Sequence, residues 1–203
     1  MQVLNLLDDK VLQANNIELG EPTGFGGAHG EVFELVGLPD RVIKLSVLYD
    51  TFNYRETFQN AFLDIEMTFA KLIVASPSHF VRVFDFSKLA IGRRKVVFGP
   101  QEYIVYGTTM EKLFPLTEGE KKILKTICSL YNKDVDDRRP VEKIVSEVAQ
   151  WYDFPVDKVL TFYSQLLSCP HIHNDCHRRN IMKDSNNNYK LIDLDLVKIG
   201  DYK

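Results

Sequence analysis

The sequence predicts an α+β chain of two segregated lobes, and three observations predict it. Short β-branched and aromatic runs alternate with Gly/Pro turns up to about residue 114. Helical periodicity dominates from there to about residue 170. Strand signals then return and close the chain as a hairpin. The domain boundaries that follow are 1–113 for an N-terminal lobe and 114–203 for a reduced, mainly helical C-terminal lobe.

In the first lobe, 17–19 and 31–36 read as strands flanking a glycine cluster, Gly24-Phe25-Gly26-Gly27-Ala28-His29-Gly30. Gly37-Leu38-Pro39-Asp40 reads as a turn, and 41–47 resumes as a strand. Phe58, Phe62, Ile65, Phe69 and Leu72 recur at steps of four and three, which predicts a helix over 54–74 with one apolar stripe. Residues 80–86 and 101–106 read as two further strands, with Gly92-Arg93-Arg94-Lys95 as a turn or loop between them. The second lobe opens on Thr117-Glu118-Gly119-Glu120, a capping box. Ile123, Leu124, Ile127, Leu130 and Tyr131 then share one helical face. Pro140 suits the first turn of a second helix, with Val141, Ile144, Val145, Val148 and Trp151 on one side. Pro155 opens a third, aligned on Val156, Val159, Leu160, Tyr163 and Leu167. Residues 180–183 and 189–196 form the closing hairpin about the polar turn Asp184-Ser185-Asn186-Asn187-Asn188.

With 203 residues, a net charge of -3 and 45% hydrophobic content, the chain has the balance of an ordinary globular protein, which argues against a general nucleic-acid or membrane-surface binder. No apolar run approaches the roughly 20 residues of a membrane span. The N-terminus MQVLNLLDDK has no cationic region before its apolar stretch, so no secretory signal is expected and the location expected is cytoplasmic. Three cysteines without a C-x-x-C spacing fit free thiols and no structural zinc.

Chemistry concentrates in His173-Asn174-Asp175-Cys176-His177-Arg178-Arg179-Asn180, followed by Leu191-Ile192-Asp193-Leu194-Asp195. Asp175, Asn180 and Asp193 thus sit on a loop and a hairpin that can fold back on itself. Magnesium is a hard cation that takes oxygen ligands and shares them with substrate phosphates. An Asn and an Asp across a hairpin can hold it, while a separate Asp accepts a hydroxyl proton and orients a nucleophile.

The pattern His-x-Asp-x-His-x-x-Asn followed by Ile-Asp-x-Asp resembles the protein-kinase-like superfamily, in particular its aminoglycoside- and choline-kinase-like branch, here in a truncated, minimal form. The resemblance implies a two-lobed protein-kinase-like fold: an N-terminal nucleotide-binding lobe of antiparallel sheet plus one helix, and a reduced catalytic lobe. It implies a phosphotransferase that uses ATP and magnesium to phosphorylate a hydroxyl on a small molecule or protein, the acceptor being unknown. Gly26, Gly27, Gly30 and Val32 would cover the phosphates, with Gly24 and Gly26 serving if the loop is one residue longer. Val42-Ile43-Lys44-Leu45 resembles V-A-I-K, so Lys44 would bridge the α- and β-phosphates. Glu66 on the long helix would hold Lys44, with Glu56 and Asp64 as rivals. Met110, Glu111 and Leu113 fall in the implied hinge that hydrogen-bonds adenine. Asn180 and Asp193 would ligate magnesium, Asp175 would orient the acceptor, and His173 would brace the loop.

Departures qualify the implied activity. Asn174 replaces the Arg that many protein kinases carry, so phosphate-controlled switching is not expected. His177 replaces the Lys of Ser/Thr protein kinases, and Asp193-Leu194-Asp195 stands in place of D-F-G. Only eight residues follow Asp195, so no sequence here corresponds to the acceptor half of such a site, and the resemblance implies either a minimal kinase or an incomplete piece of something larger. The alternative is a pseudokinase-like nucleotide- or partner-binding module without turnover. An exposed helical face could recruit a second copy, though no residue argues for it.

Overall fold

Alternation of apolar residues in the first half builds an antiparallel sheet. The computed structural model describes residues 3–27, 30–50, 55–97, 99–132, 141–168, 172–173, 176–194 and 197–198. Asp175, Pro140 and Asp195, all singled out from the sequence, lie outside the described residues. The chain divides into two compact units, Met1–Ala75 with Arg82–Lys112, and Ser76–Val81 with Leu113–Lys203.

In the first unit the strands β1 (Leu19–Gly27), β2 (Gly30–Leu35), β3 (Leu38–Tyr49), β4 (Val83–Val96) and β5 (Gly99–Glu111) form one sheet in the order β1-β2-β3-β5-β4. Its neighbouring strands all run antiparallel. One face buries Phe33, Ile43, Leu45, Val47, Leu89 and Val105, and Val3 joins them from a 3-10 turn at Val3–Leu6. That turn and the short helix α1 (Asp9–Ala14), N-capped by Asp8, cover this face although the sequence reading left them unassigned. The other face is covered by α2 (Arg55–Ala75), close to the helix expected over 54–74. Its stripe buries Phe58, Phe62, Phe69 and Leu72, with Ile65 half-buried. Phe69 stacks on Phe86 at 4.9 Å, and Phe62 meets Tyr106 edge-on. Aromatic pairs of this kind add about 1 kcal/mol each beyond area burial.

Several elements depart from the sequence reading. The turn expected at residues 37–40 is tighter: Leu35 pairs with Leu38, Gly37 takes φ +76, and Pro39 and Asp40 are already strand. Gly92-Arg93-Arg94-Lys95 is not a loop but the outer part of β4, opposite Tyr103 to Pro100. Gly92 is needed there because a Cβ would collide with the Tyr103 ring, a close approach rather than a turn. Arg93 bonds Glu102 at 2.6 Å, and Arg94 stacks over Tyr49 at 3.8 Å, so cross-strand partners hold the basic run extended. The strand expected over 80–86 is two pieces. Val83 onward is β4, whereas Phe80 and Val81 belong to the second unit.

That second unit consists of α3 (Glu118–Asn132), α4 (Val141–Ala149), α5 (Val156–Ser168), two short strands β6 (Ile172–His173) and β9 (Val197–Lys198) that pair with each other, and the hairpin β7 (Ile181–Lys183) with β8 (Tyr189–Leu191). The capping box forms: Thr117 N donates to Glu120 Oε2 at 2.7 Å, and Glu120 N donates to Thr117 Oγ1 at 3.3 Å. Ile123, Leu124, Ile127, Val145, Val159, Phe162 and Leu166 make the helical core. Trp151, expected on the apolar side of α4, lies beyond the end of that helix and is 80% exposed. The strand expected over 189–196 stops at Leu191, because Asp193 adopts φ +63 and turns the chain. No helix among the described residues is long and apolar enough to cross a membrane. The chain is therefore α+β: a five-stranded antiparallel sheet with its helices in one unit, and a mainly helical second unit.

Candidate functional site

Lys44 is built into the middle of the sheet. Val32 lies opposite it on β2, and Thr108 lies opposite it on β5. The pleat turns Lys44 to the same face as Ser46, Thr108 and Tyr106, which is the face that α2 covers. Ile43 and Leu45 point into the opposite core. An apolar run thus supplies the strand, and its alternation alone turns the half-buried Lys44 to the helix-covered face.

Gly30 is shaped by this lysine. A Cβ added there would lie 3.0 Å from Leu45 O, 3.1 Å from Ser46 Oγ and 3.2 Å from Lys44 Cε. The lysine stem therefore passes against Gly30, and a side chain at that position must displace it. Gly30→Ala is expected to cost about 1 kcal/mol, read as a lowered midpoint in urea unfolding. Gly26 pairs with Glu31 and Gly27 with Gly30, so the glycine cluster continues the β1–β2 ladder up to residues 28 and 29, which lie outside the described residues. Gly24 takes φ +73, the left-handed region that glycine enters without penalty.

Glu66 lies on the exposed side of α2. With Gln59 and Leu63 it lines a groove whose other wall carries Lys88, Arg93 and Glu102. Met110 is paired on both sides, with Val42 and Val83. The N–H groups of Glu111 and Lys112 donate to Arg82 O at 3.0 Å and Asp40 O at 2.8 Å, so both are engaged within the first unit. Leu113 is buried and begins the next stretch of the second unit.

In the second unit, the hairpin brings Asn180 and Asp193 to one end. Ile181 pairs with Leu191, and one step beyond, Ile192 N donates to Asn180 O at 2.8 Å. Asn180 closes the 3-10 turn Arg178–Asn180, where its N–H donates to His177 O at 2.8 Å, and it is buried. Asp193 follows directly and leaves the hairpin in the left-handed conformation, which Asp tolerates better than most residues. The hairpin is braced on both edges. Val81 N donates to Leu191 O and Leu191 N to His79 O, each at 2.8 Å, while Phe114 and Lys183 exchange both backbone bonds at 2.7 and 2.9 Å. Residues 79–81 and 114 thus extend a two-stranded ribbon on either side, which fixes the end that carries Asn180 and Asp193. His173 pairs with Val197 through its backbone. Asp175 is outside the described residues.

Two charged clusters hold this frame. Burial would raise the pKa of Glu120, but bonds from Thr117 N, Lys183, the Thr117 hydroxyl and Tyr189 hold it below the ordinary carboxylate range. Asp184 behaves alike: burial raises it, and the Asn188 side chain and N–H, the Asn186 N–H and the Lys190 charge more than compensate. Asp184 accepts at 2.9 Å from each of Asn186 N, Asn188 N and Asn188 Nδ2, which shapes the polar turn of the hairpin.

Among the described residues, no group of three or more His, Cys, Asp or Glu could hold a metal ion. One amide and one carboxylate at the hairpin end are too few for a closed site. They suit a hard cation that takes its remaining ligands from a phosphate and water. The sequence reading missed two residues. Ser46 Oγ and Thr108 Oγ1 are buried without a hydrogen-bond partner, one two positions along β3 from Lys44 and one directly across from it. Their signal was present: small hydroxyl residues that share the alternation of Lys44 inside an apolar run.

No protein-family model matches the chain, and no curated protein matches it. Among solved structures it is similar to the ROP18 kinase domain in complex with AMP-PNP and sucrose, at 13% identity and a TM-score of 0.48 over 98% of this chain and 64% of that one. It is also similar to WbdD, at 16% identity and a TM-score of 0.45 over 90% of this chain and 34% of that one. A structure of monomeric WbdD gives 16% identity and 0.39, over 89% and 37%. The chain spans between 34% and 64% of the length of these proteins.

Proposed function

We propose that this chain is a phosphotransferase of the kinase-like type, moving the γ-phosphate of ATP to a hydroxyl acceptor with magnesium. The observation that carries the reading is the hairpin end, where the backbone hydrogen bond from Ile192 N to Asn180 O joins Asn180 to the residue that precedes Asp193, on a ribbon braced at both edges. In this reading Asn180 and Asp193 hold the cation, which neutralises phosphate charge when bound. Lys44, with Glu66, orients the α- and β-phosphates, while the β1–β2 glycines Gly26, Gly27 and Gly30, together with Val32, cover them. Met110, Glu111 and Leu113 border the adenine. Asp175 orients the acceptor hydroxyl, and His173 braces its loop. Phosphoryl transfer asks chiefly for positioning and charge neutralisation, so these side chains suffice for the nucleotide half of the reaction.

The test joins binding to turnover. Magnesium-ATP at one hundred times its dissociation constant should stabilise the protein by about 2.7 kcal/mol, and the gain should shrink when EDTA removes the metal. Labelled γ-phosphate should then appear on one member of a panel of aminoglycoside, choline-like, sugar and protein hydroxyl acceptors. Absence of any nucleotide-dependent shift would overturn the reading. A magnesium-dependent shift without transfer to any acceptor would replace it with a nucleotide-binding module.

A further inference from the structure

Two of the three cysteines meet inside the second unit. Cys128 lies on α3, and Cys176 lies between residues 175 and 177, in the loop proposed to orient the acceptor. Both are buried, neither is in a disulfide, and their sulfurs are 3.4 Å apart. A disulfide needs about 2.05 Å between sulfurs, so closure asks the two side chains to approach by a little over 1 Å. The elements that carry them are already packed together, since α3 contacts the 3-10 turn that begins two residues after Cys176. A chance pair of small hydrophobic thiols needs no such contact, because free Cys packs well against any apolar neighbour.

We propose that Cys128 and Cys176 form an oxidative modification site, a dithiol that hydrogen peroxide converts to an intramolecular disulfide stapling α3 to the loop around residue 175. One sulfur attacks a peroxide oxygen: an S–O bond forms as the O–O bond breaks, and the departing hydroxide takes the thiol proton and leaves as water. The second sulfur attacks the resulting sulfenic acid: the S–S bond forms as the S–O bond breaks, and the second thiol proton leaves with the hydroxyl as another water. Two thiols lose two electrons in total, and one peroxide becomes two waters. The Cys176 contact and burial hold the Cys128 thiol protonated well above its ordinary range. The first step is therefore slow and waits on local opening. The second is fast, because the partner sulfur is already in contact. The cross-link shortens the unfolded chain between 128 and 176, so the oxidised form melts several degrees higher. It also draws residue 176 toward α3 and shifts its neighbours. The loss of turnover this causes rests on the phosphotransferase reading, whereas the cross-link does not.

The experiment uses Cys169→Ser, which leaves Cys128 and Cys176 as the two cysteines of the chain. The folded protein is treated with hydrogen peroxide, denatured, alkylated and mapped by mass spectrometry without reductant, beside the untagged wild type and a sample oxidised in urea. The expected result is a mass lower by two hydrogens, both thiols closed to alkylation, and one linked peptide pair containing 128 and 176. It should form in higher yield in the folded sample than in urea, where over-oxidation and dimers compete with the pairing, be absent in Cys128→Ser, and reverse with dithiothreitol. Thiols that stay alkylatable after native oxidation, sulfinic acid at either position, or an intermolecular dimer would overturn the proposal. So would a cross-link in no higher yield folded than unfolded. Full turnover by the cross-linked protein would overturn its inhibitory effect alone. Turnover absent from the reduced protein would count against the phosphotransferase reading and leave the modification site standing.

Discussion

Asp193→Asn should lower magnesium-ATP turnover by more than about a hundredfold, since a bound cation supplies several kcal/mol of charge stabilisation in phosphoryl transfer. The thermal midpoint should stay within about 2 °C of wild type. Asn is the right replacement because residue 193 sits at φ +63. Asn enters that region as readily as Asp, whereas Ala there costs about 1–2 kcal/mol and would confuse lost chemistry with lost fold. The Ile192–Asn180 backbone bond and the bracing of Leu191 by residues 79–81 involve no Asp193 side-chain atom, so the hairpin should survive the change. Lys44→Met is the matching variant on the sheet. Met keeps the unbranched stem that runs against Gly30 and removes the ammonium. It should reduce turnover by a similar factor and raise the apparent dissociation constant for ATP. γ-Phosphate release and nucleotide-dependent thermal shift measure both. Unchanged turnover in either variant would defeat the assignment of that residue.

What could be read from the sequence follows from how local each signal is. Lys44 was legible because strand alternation is a property of one segment: Ile43 and Leu45 point one way and Lys44 the other, whatever the strand pairs with. The α2 stripe of Phe58, Phe62, Phe69 and Leu72 was legible for the same reason at the helical period. The capping box at Thr117 and Glu120 needs only four residues, and both of its reciprocal bonds are present. The failures are non-local. Phe80 and Val83 sit in one apolar run, yet one pairs with Leu191 and the other with Met110. Partners so far along the chain leave no mark in the run itself. Gly92 read as a turn because glycine usually punctuates, whereas its reason is the Tyr103 ring, a cross-strand neighbour. The length of β8 was misjudged because the left-handed turn at Asp193 has no glycine to announce it. At the candidate site, the residue types and their order were readable. The bracing of the hairpin and the buried Ser46 and Thr108 hydroxyls were not, since each depends on strands that meet only in three dimensions.

Glu120 carries the second large effect, and it acts on stability rather than chemistry. Its carboxylate is only 2% exposed and accepts from Thr117 N at 2.7 Å, from Tyr189 Oη at 3.0 Å and from Lys183 Nζ at 3.0 Å. One side chain thus ties the first turn of α3 to both strands of the hairpin that carries Asn180 and Asp193. Glu120→Ala leaves a largely buried ammonium and a fully buried phenol without this acceptor. Breaking such a pair from one side typically costs about 3–5 kcal/mol. Glu120→Gln keeps the volume and one acceptor oxygen but no charge, and should cost about 2 kcal/mol. The pH dependence separates charge from packing. The folded pKa of Glu120 lies below its ordinary value of 4.5. Its contribution is therefore complete above that value and disappears as pH falls through the lower folded value. Burial, then the Glu120 charge, raise Tyr189 above its ordinary value of 10.0. Its contribution is complete below pH 10 and is lost on further rise. Urea unfolding of the wild type should accordingly show a plateau between these limits and a fall on either side. In Glu120→Gln the acid fall should be shallower, with Asp184 supplying what remains, since that carboxylate is also held below its ordinary range. An acid limb of undiminished slope in Glu120→Gln would show that the charge of Glu120 does not contribute, and that its bonds to Tyr189 and Lys183 act by shape alone.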